Sequence, residues 1–106
     1  MLFHSKMSHI VEITDSAEEE SLIANNEKCV IFFGSQQCPH CRDIVPIYQE
    51  LSNTYPSIGF AHVETSQVEV SNLDGVPVFV GYRNQECIDI ALGASKKYLL
   101  NLIQSL

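Results

Sequence analysis

The amino-acid sequence predicts one α/β domain with a mixed sheet flanked by helices, and three observations carry that reading. Short apolar runs of strand length alternate with stretches of helical period in the first part of the chain, a β-α-β-α-β order. Two further β-rich runs, Val76 to Tyr82 and Cys87 to Leu92, flank RNQE as a hairpin and lead into a last helix. The 106 residues, 45% hydrophobic and 18% charged, suit a single domain over 1–106 that buries about two thirds of its unfolded surface.

Each element has a local reason. His9 to Ile13 is a short β-rich run, and Thr14, Asp15 and Ser16 after it can each cap a helix that opens with Glu18 to Glu20 at its positive end. Lys28 to Phe33 is apolar after its lysine, as a central strand buried on both faces should be. From Pro39 the period changes. Ile44, Ile47, Tyr48, Leu51 and Tyr55 line one face of a long helix that should stop before Pro56. Ile58 to Val63 reads as the next strand. In the hairpin's second run Ile88, Ile90 and Leu92 are expected on one face. The last helix begins near Ser95 and turns Leu99, Leu102, Ile103 and Leu106 inward. Right-handed crossovers make the first three strands parallel, and the closing hairpin is antiparallel.

Charge and cysteine usage narrow the function. Six Lys and Arg against 13 Asp and Glu give a formal charge of −7, which repels phosphate backbones and anionic lipid, so neither nucleic acid nor membrane is an expected partner. The apolar runs are far short of the roughly 20 residues that span a bilayer. MLFHSKMSH lacks the apolar core of a secretory signal, and the expected location is cytoplasmic, with the start at Met1 or Met7 left open. Of the four cysteines, Cys29 and Cys87 have no close partner in sequence and read as small hydrophobes, Cys87 being the better candidate for an exposed thiol. His4 and His9 are expected to be solvated, and Asp43 to face solvent.

The other two cysteines stand in GSQQCPHCRDIVP. A metal clip, a structural disulfide and a redox centre all use a CxxC spacing. Cys38 and Cys41 fall at the carboxyl end of the central strand and the amino end of the following helix, the usual place for chemistry in such sheets. Residues three apart on a helix lie roughly 5 to 6 Å apart, inside the window a disulfide accepts. Cys38 sits among unpaired N–H groups at the helix N-terminus, which stabilise a thiolate. Cys41 lies a turn deeper and suits a resolving role. Pro39 stiffens the first turn, where its missing N–H is not needed. His40, when protonated, adds positive charge beside Cys38. Zinc would want four ligands, and the chain offers Cys38, Cys41 and at most His40, so no metal is expected.

VIFFGSQQCPHCRDIVP resembles the strand, active-site turn and helix of the thioredoxin family, including Pro46 five residues after the second cysteine. GVPVFVGYRNQE, Gly75 to Glu86, is similar to that family's cis-proline strand and hairpin, and ALGASKKYLLNLI to its closing strand end, glycine and helix. The resemblance implies a thioredoxin fold with sheet order first, third, second, fourth, fifth strand, a cis Val76-Pro77 bond, and substrate binding along Val76 and Pro77. It implies a thiol-disulfide oxidoreductase cycling between a Cys38/Cys41 dithiol and disulfide without other cofactor. Expected partners are protein disulfides, with a thioredoxin-reductase-like enzyme or glutathione for recycling, and the chain is expected to act as a monomer.

The departures from that family point somewhere. Pro-His between the cysteines resembles the periplasmic disulfide oxidants, the family's aromatic positions before the first cysteine hold Gly34 and Gln37, and the buried acid of the central strand is Phe32. The acid's usual lysine partner corresponds to His62, a candidate for proton transfer to and from Cys41. Thr65 to Asp74 is too short for the family's full third helix. A more acidic Cys38 stabilises the dithiol, so the pair should be more oxidising than ordinary thioredoxin. The alternative reading is a peptide-binding module whose cis-proline groove holds a partner while redox turnover is secondary.

Overall fold

One apolar strand organises the molecule. In the computed structural model, which describes residues 9–68, 70, 73 and 75–106, the chain runs β1 (Ile10–Ile13), α1 (Ser16–Asn25), β2 (Lys28–Gly34), α2 (Pro39–Thr54), β3 (Gly59–Glu64), β4 (Val78–Arg83), β5 (Glu86–Leu92) and α3 (Lys96–Gln104). The strands form one sheet in the order β1-β3-β2-β4-β5. β1, β3 and β2 are parallel, while β4 is antiparallel to both β2 and β5. With a strand on either side and both faces covered, Cys29, Val30, Ile31 and Phe32 of β2 are each 0% exposed, which is why this run shows no polar alternation.

Local chemistry sets the helix ends. The Asp15 carboxylate accepts the Glu18 N–H at 2.8 Å, and the Glu18 carboxylate reaches back to accept the Thr14 N–H at 2.9 Å. Ser95 caps α3 by accepting the Tyr98 N–H at 3.2 Å. The α3 side chains Leu99, Leu102 and Ile103, and Leu106 beyond it, are buried as their spacing predicts. α3 lies close on β4 because Gly81 has no side chain; a Cβ there would meet Leu102 Cδ1 at 2.9 Å.

The core has two layers. On the face covered by α2 and α3, Val30, Phe32, Tyr48, Phe60, Phe79 and Leu99 pack together. On the other, Ile13, Ile31, Phe33, Ala61 and Val63 meet Leu22 and Ile23 of α1. Tyr48, 1% exposed, donates its phenol to the Ala61 carbonyl at 2.7 Å and lies 3.1 Å from that of Val30, tying α2 to two neighbouring strands.

The hairpin turns at Asn84 and Gln85, both at positive φ (52° and 69°), the pairing a two-residue loop needs to match strand twist. β5 departs from the sequence reading. The register shifts beside Tyr82, so that Gly81 pairs with Asp89 and Tyr82 with Cys87, leaving Ile88 as an extra residue. Ile88 therefore packs with Ala91 toward the α2–α3 core, whereas Ile90 and Leu92 point the other way, 52% and 67% exposed. Of the Thr65–Asp74 crossover, Gln67 and Val68 both donate to the Glu64 carbonyl at 3.0 Å, a turn rather than a helix. Val70 and Leu73 pack against the core layer on the α1 side, whereas residues 69, 71, 72 and 74 of that crossover, His4 and the choice between Met1 and Met7 lie outside the described residues.

Candidate active site

β2 delivers the chain to the site, and α2 carries it away. After Gly34 the backbone turns, and the Cys38 N–H donates to the Ser35 carbonyl at 3.0 Å. Cys38 is the N-cap of α2 with extended backbone, and Pro39 occupies the first turn. Cys38 is half-buried; Cys41, a turn deeper, is 0% exposed, and both are thiols. The Val76-Pro77 bond is cis. Pro77 is buried, Val76 half-buried, and the Val76 carbonyl is 4.0 Å from Cys38 Sγ. Cys38, Pro39, His40, Cys41, Val76 and Pro77 thus come together at one end of the central strands, after β2 and before β4. Val76 and Pro77 also open, with Phe33, Val78, Ile90 and Leu92, onto an apolar hollow of about 610 Å³.

The two thiols are pushed apart in acidity. For Cys38, partial burial opposes ionisation, but the N–H and thiol of Cys41, the His40 N–H and the Arg42 charge outweigh it and hold the thiol below its ordinary pKa. Cys41 moves the other way, to about 11. Burial dominates that shift; the Ser35 N–H opposes it, while the Cys38 sulfur and the Glu64 carboxylate add to it. One thiol is disposed to ionise, and its neighbour to stay protonated. His40 acts on Cys38 through its backbone N–H, and its exposed side chain points into solvent.

His62 sits inside the core rather than at a wet strand end. Its ring is 5.1 Å from that of Phe32, Nδ1 is 2.7 Å from Glu12 Oε2, and Nε2 is 3.8 Å from Glu64 Oε1. Phe32 fills the acid's place with an aromatic cluster, stacking on Phe79 at 4.8 Å and meeting Tyr48 edge-on at 5.2 Å. Sequence reasoning missed Glu64 and Arg42. An acid closing an otherwise apolar strand, and a cation directly after the second thiol, were the available signals. Among the described residues no group of three or more His, Cys, Asp and Glu side chains is arranged to hold a metal ion.

Known proteins share both pattern and geometry. The family model described as Thioredoxin matches residues 9–105. Thioredoxin 1 of Plasmodium falciparum is 34% identical over 96 residues, spanning 87% of this chain and 92% of that relative. Thioredoxin-1 of Schizosaccharomyces pombe is 31% identical over 81% of this chain and 87% of its own length. A solved structure of Plasmodium falciparum thioredoxin superposes with a TM-score of 0.83 at 33% identity, over 90% of this chain and 97% of that one. Oxidised mitochondrial thioredoxin 3 from Saccharomyces cerevisiae gives 0.85 at 26% identity, over 92% and 95%. With a CxxC at the head of α2 and a fold shared along nearly its whole length, this chain belongs to the thioredoxin family and is a thiol-disulfide oxidoreductase acting on protein disulfides.

Proposed function

We propose that Cys38 is the attacking thiol, Cys41 the resolving thiol, and the pair a more oxidising couple than ordinary thioredoxin. Cys38 Sγ attacks one sulfur of a substrate disulfide and a mixed disulfide forms. Cys41 then displaces the substrate sulfur from Cys38, closing the Cys38–Cys41 bridge, and two electrons have passed to the substrate. Val76 and Pro77 align the substrate's extended backbone beside Cys38. Pro39 stiffens the turn, His40 favours the thiolate, and His62 takes part in moving the Cys41 proton. A thioredoxin-reductase-like enzyme or glutathione reopens the bridge, in the cytoplasm, and the chain works as a monomer.

The observation that carries this is the divergence of the two thiols, Cys38 held down and Cys41 up to about 11, with Cys38 Sγ 4.0 Å from the Val76 carbonyl. A stabilised Cys38 thiolate favours the dithiol and raises the potential. The test is the equilibrium potential of the pair, read by alkylation and mass spectrometry across glutathione buffers. A value above thioredoxin's roughly −270 mV is expected, and one at or below it overturns the oxidising assignment. The hollow beside Pro77 favours the peptide-binding alternative, in which wild type and Cys41→Ser would bind a partner equally well.

A further inference from the structure

We propose that Glu64 accepts the proton of Cys41 during resolution, in place of the acid that Phe32 displaces; the inference rests on the dithiol cycle above. Three features converge on it. Phe60, His62 and Glu64 alternate onto the α2 face of β3, the face on which Phe60 and Cys41 share a core cluster. Glu64 pairs in register with Gly34 of β2. Gly34 presents no side chain toward Cys41, for a Cβ there would stand 3.2 Å from Cys41 Sγ.

Successive backbone donors serve the two groups. The Ser35 N–H points at the Cys41 sulfur, and the next N–H, that of Gln36, donates to the Glu64 carboxylate, 3.1 Å from Oε1 and 3.3 Å from Oε2. Glu64 is 9% exposed and also accepts from the Ser66 hydroxyl. Its negative charge is felt at Cys41. The charged groups acting on Cys41 are Cys38 at the head of its own helix and Glu64 from β3; Glu64 in turn faces His62, and His62 faces Glu12 from β1. Glu12 has a 28% exposed side chain, so this row of groups runs from the buried thiol to water.

The step balances. Cys41 Sγ–H gives its proton to the Glu64 carboxylate while Cys41 Sγ bonds to Cys38 Sγ. The bond between Cys38 and the substrate sulfur breaks, and that sulfur leaves as a thiolate that takes a proton from water. Protonated Glu64 returns its proton outward through His62 and Glu12.

Glu64→Gln separates this role from a purely electrostatic one by sign. Removing only a negative charge makes Cys41 more acidic and resolution faster; removing a base makes it slower. A preformed mixed disulfide on Cys38 should resolve about 100-fold or more slowly in Glu64→Gln, the low end of what a lost general base costs. Alkylation of Cys38 should be unchanged, and Glu64→Asp should recover part of the rate. A Glu64→Gln rate within threefold of wild type, or a faster one, overturns the proposal. If Cys41→Ser traps no Cys38 adduct with a disulfide substrate, the dithiol cycle itself fails, before Glu64 is altered.

Discussion

Gly34→Ala should damage this protein far more than one added methyl ordinarily would. The new Cβ would stand 2.5 Å from Cε1 and 2.6 Å from Cζ of Phe32, where carbons in contact prefer about 3.5 to 4 Å. Residues 32 and 34 share a face of β2, and the Phe32 ring leans over the bare glycine. To yield, the ring must move about 1 Å, the gap between those separations. It has nowhere to go, since Phe79 stacks on it at 4.8 Å, His62 packs at 5.1 Å and Tyr48 at 5.2 Å, all buried. Overpacking of this kind costs roughly 1 to 3 kcal/mol, and the locked cluster puts Gly34→Ala toward the upper end. Urea midpoints of the reduced proteins measure it. The same change in a Phe32→Leu background should cost distinctly less, because the clashing ring is gone. A Gly34→Ala protein within about 0.5 kcal/mol of wild type, or an equal penalty in both backgrounds, would refute the reasoning.

Two further outcomes follow from the thiols. Cys29, 0% exposed, is raised by burial from 9.0 to about 11, so its contribution to stability is fully present below pH 9 and disappears as pH rises toward 11. The loss is about 3 kcal/mol from a two-unit shift, and Cys29→Ala should flatten the alkaline slope of urea stability by that amount; an unchanged slope contradicts it. Arg42→Gln should move the pH midpoint of Cys38 alkylation upward at low salt, and the difference should vanish near 0.5 M salt as screening removes the charge effect; identical low-salt midpoints would count against it.

The legible parts of this molecule are those whose determinants lie close together in the chain. Asp15 with Glu18, Ser95 with Tyr98, and the apolar face of α2 each declare themselves within a few residues. The same holds for Cys38 and Cys41, while Val76 and Pro77 became legible through their resemblance to a known strand. What escaped depends on registers between distant segments. Ile88 parts from Ile90 and Leu92 because the β4–β5 register shifts beside Tyr82, a fact no alternation within β5 contains. Glu64 matters because it lies opposite Gly34, and neither residue is informative alone. His62 stands out only through its correspondence to the family's lysine, and its partner Glu12 comes from the distant strand β1.

The irregular β5 has a bearing on how copies of this chain meet. As the outermost strand beyond β4, it offers a row of backbone groups that could template another strand, a common origin of aggregation. The Asp89 carboxylate occupies the Ile90 N–H at 2.8 Å, and the extra residue at Ile88 spoils the even spacing an incoming ladder would require. Glu86 and Asp89 add like charges that a second copy would have to set against its own. The feature that defeated the reading of alternation along β5 is thus also a guard on the open border of the sheet.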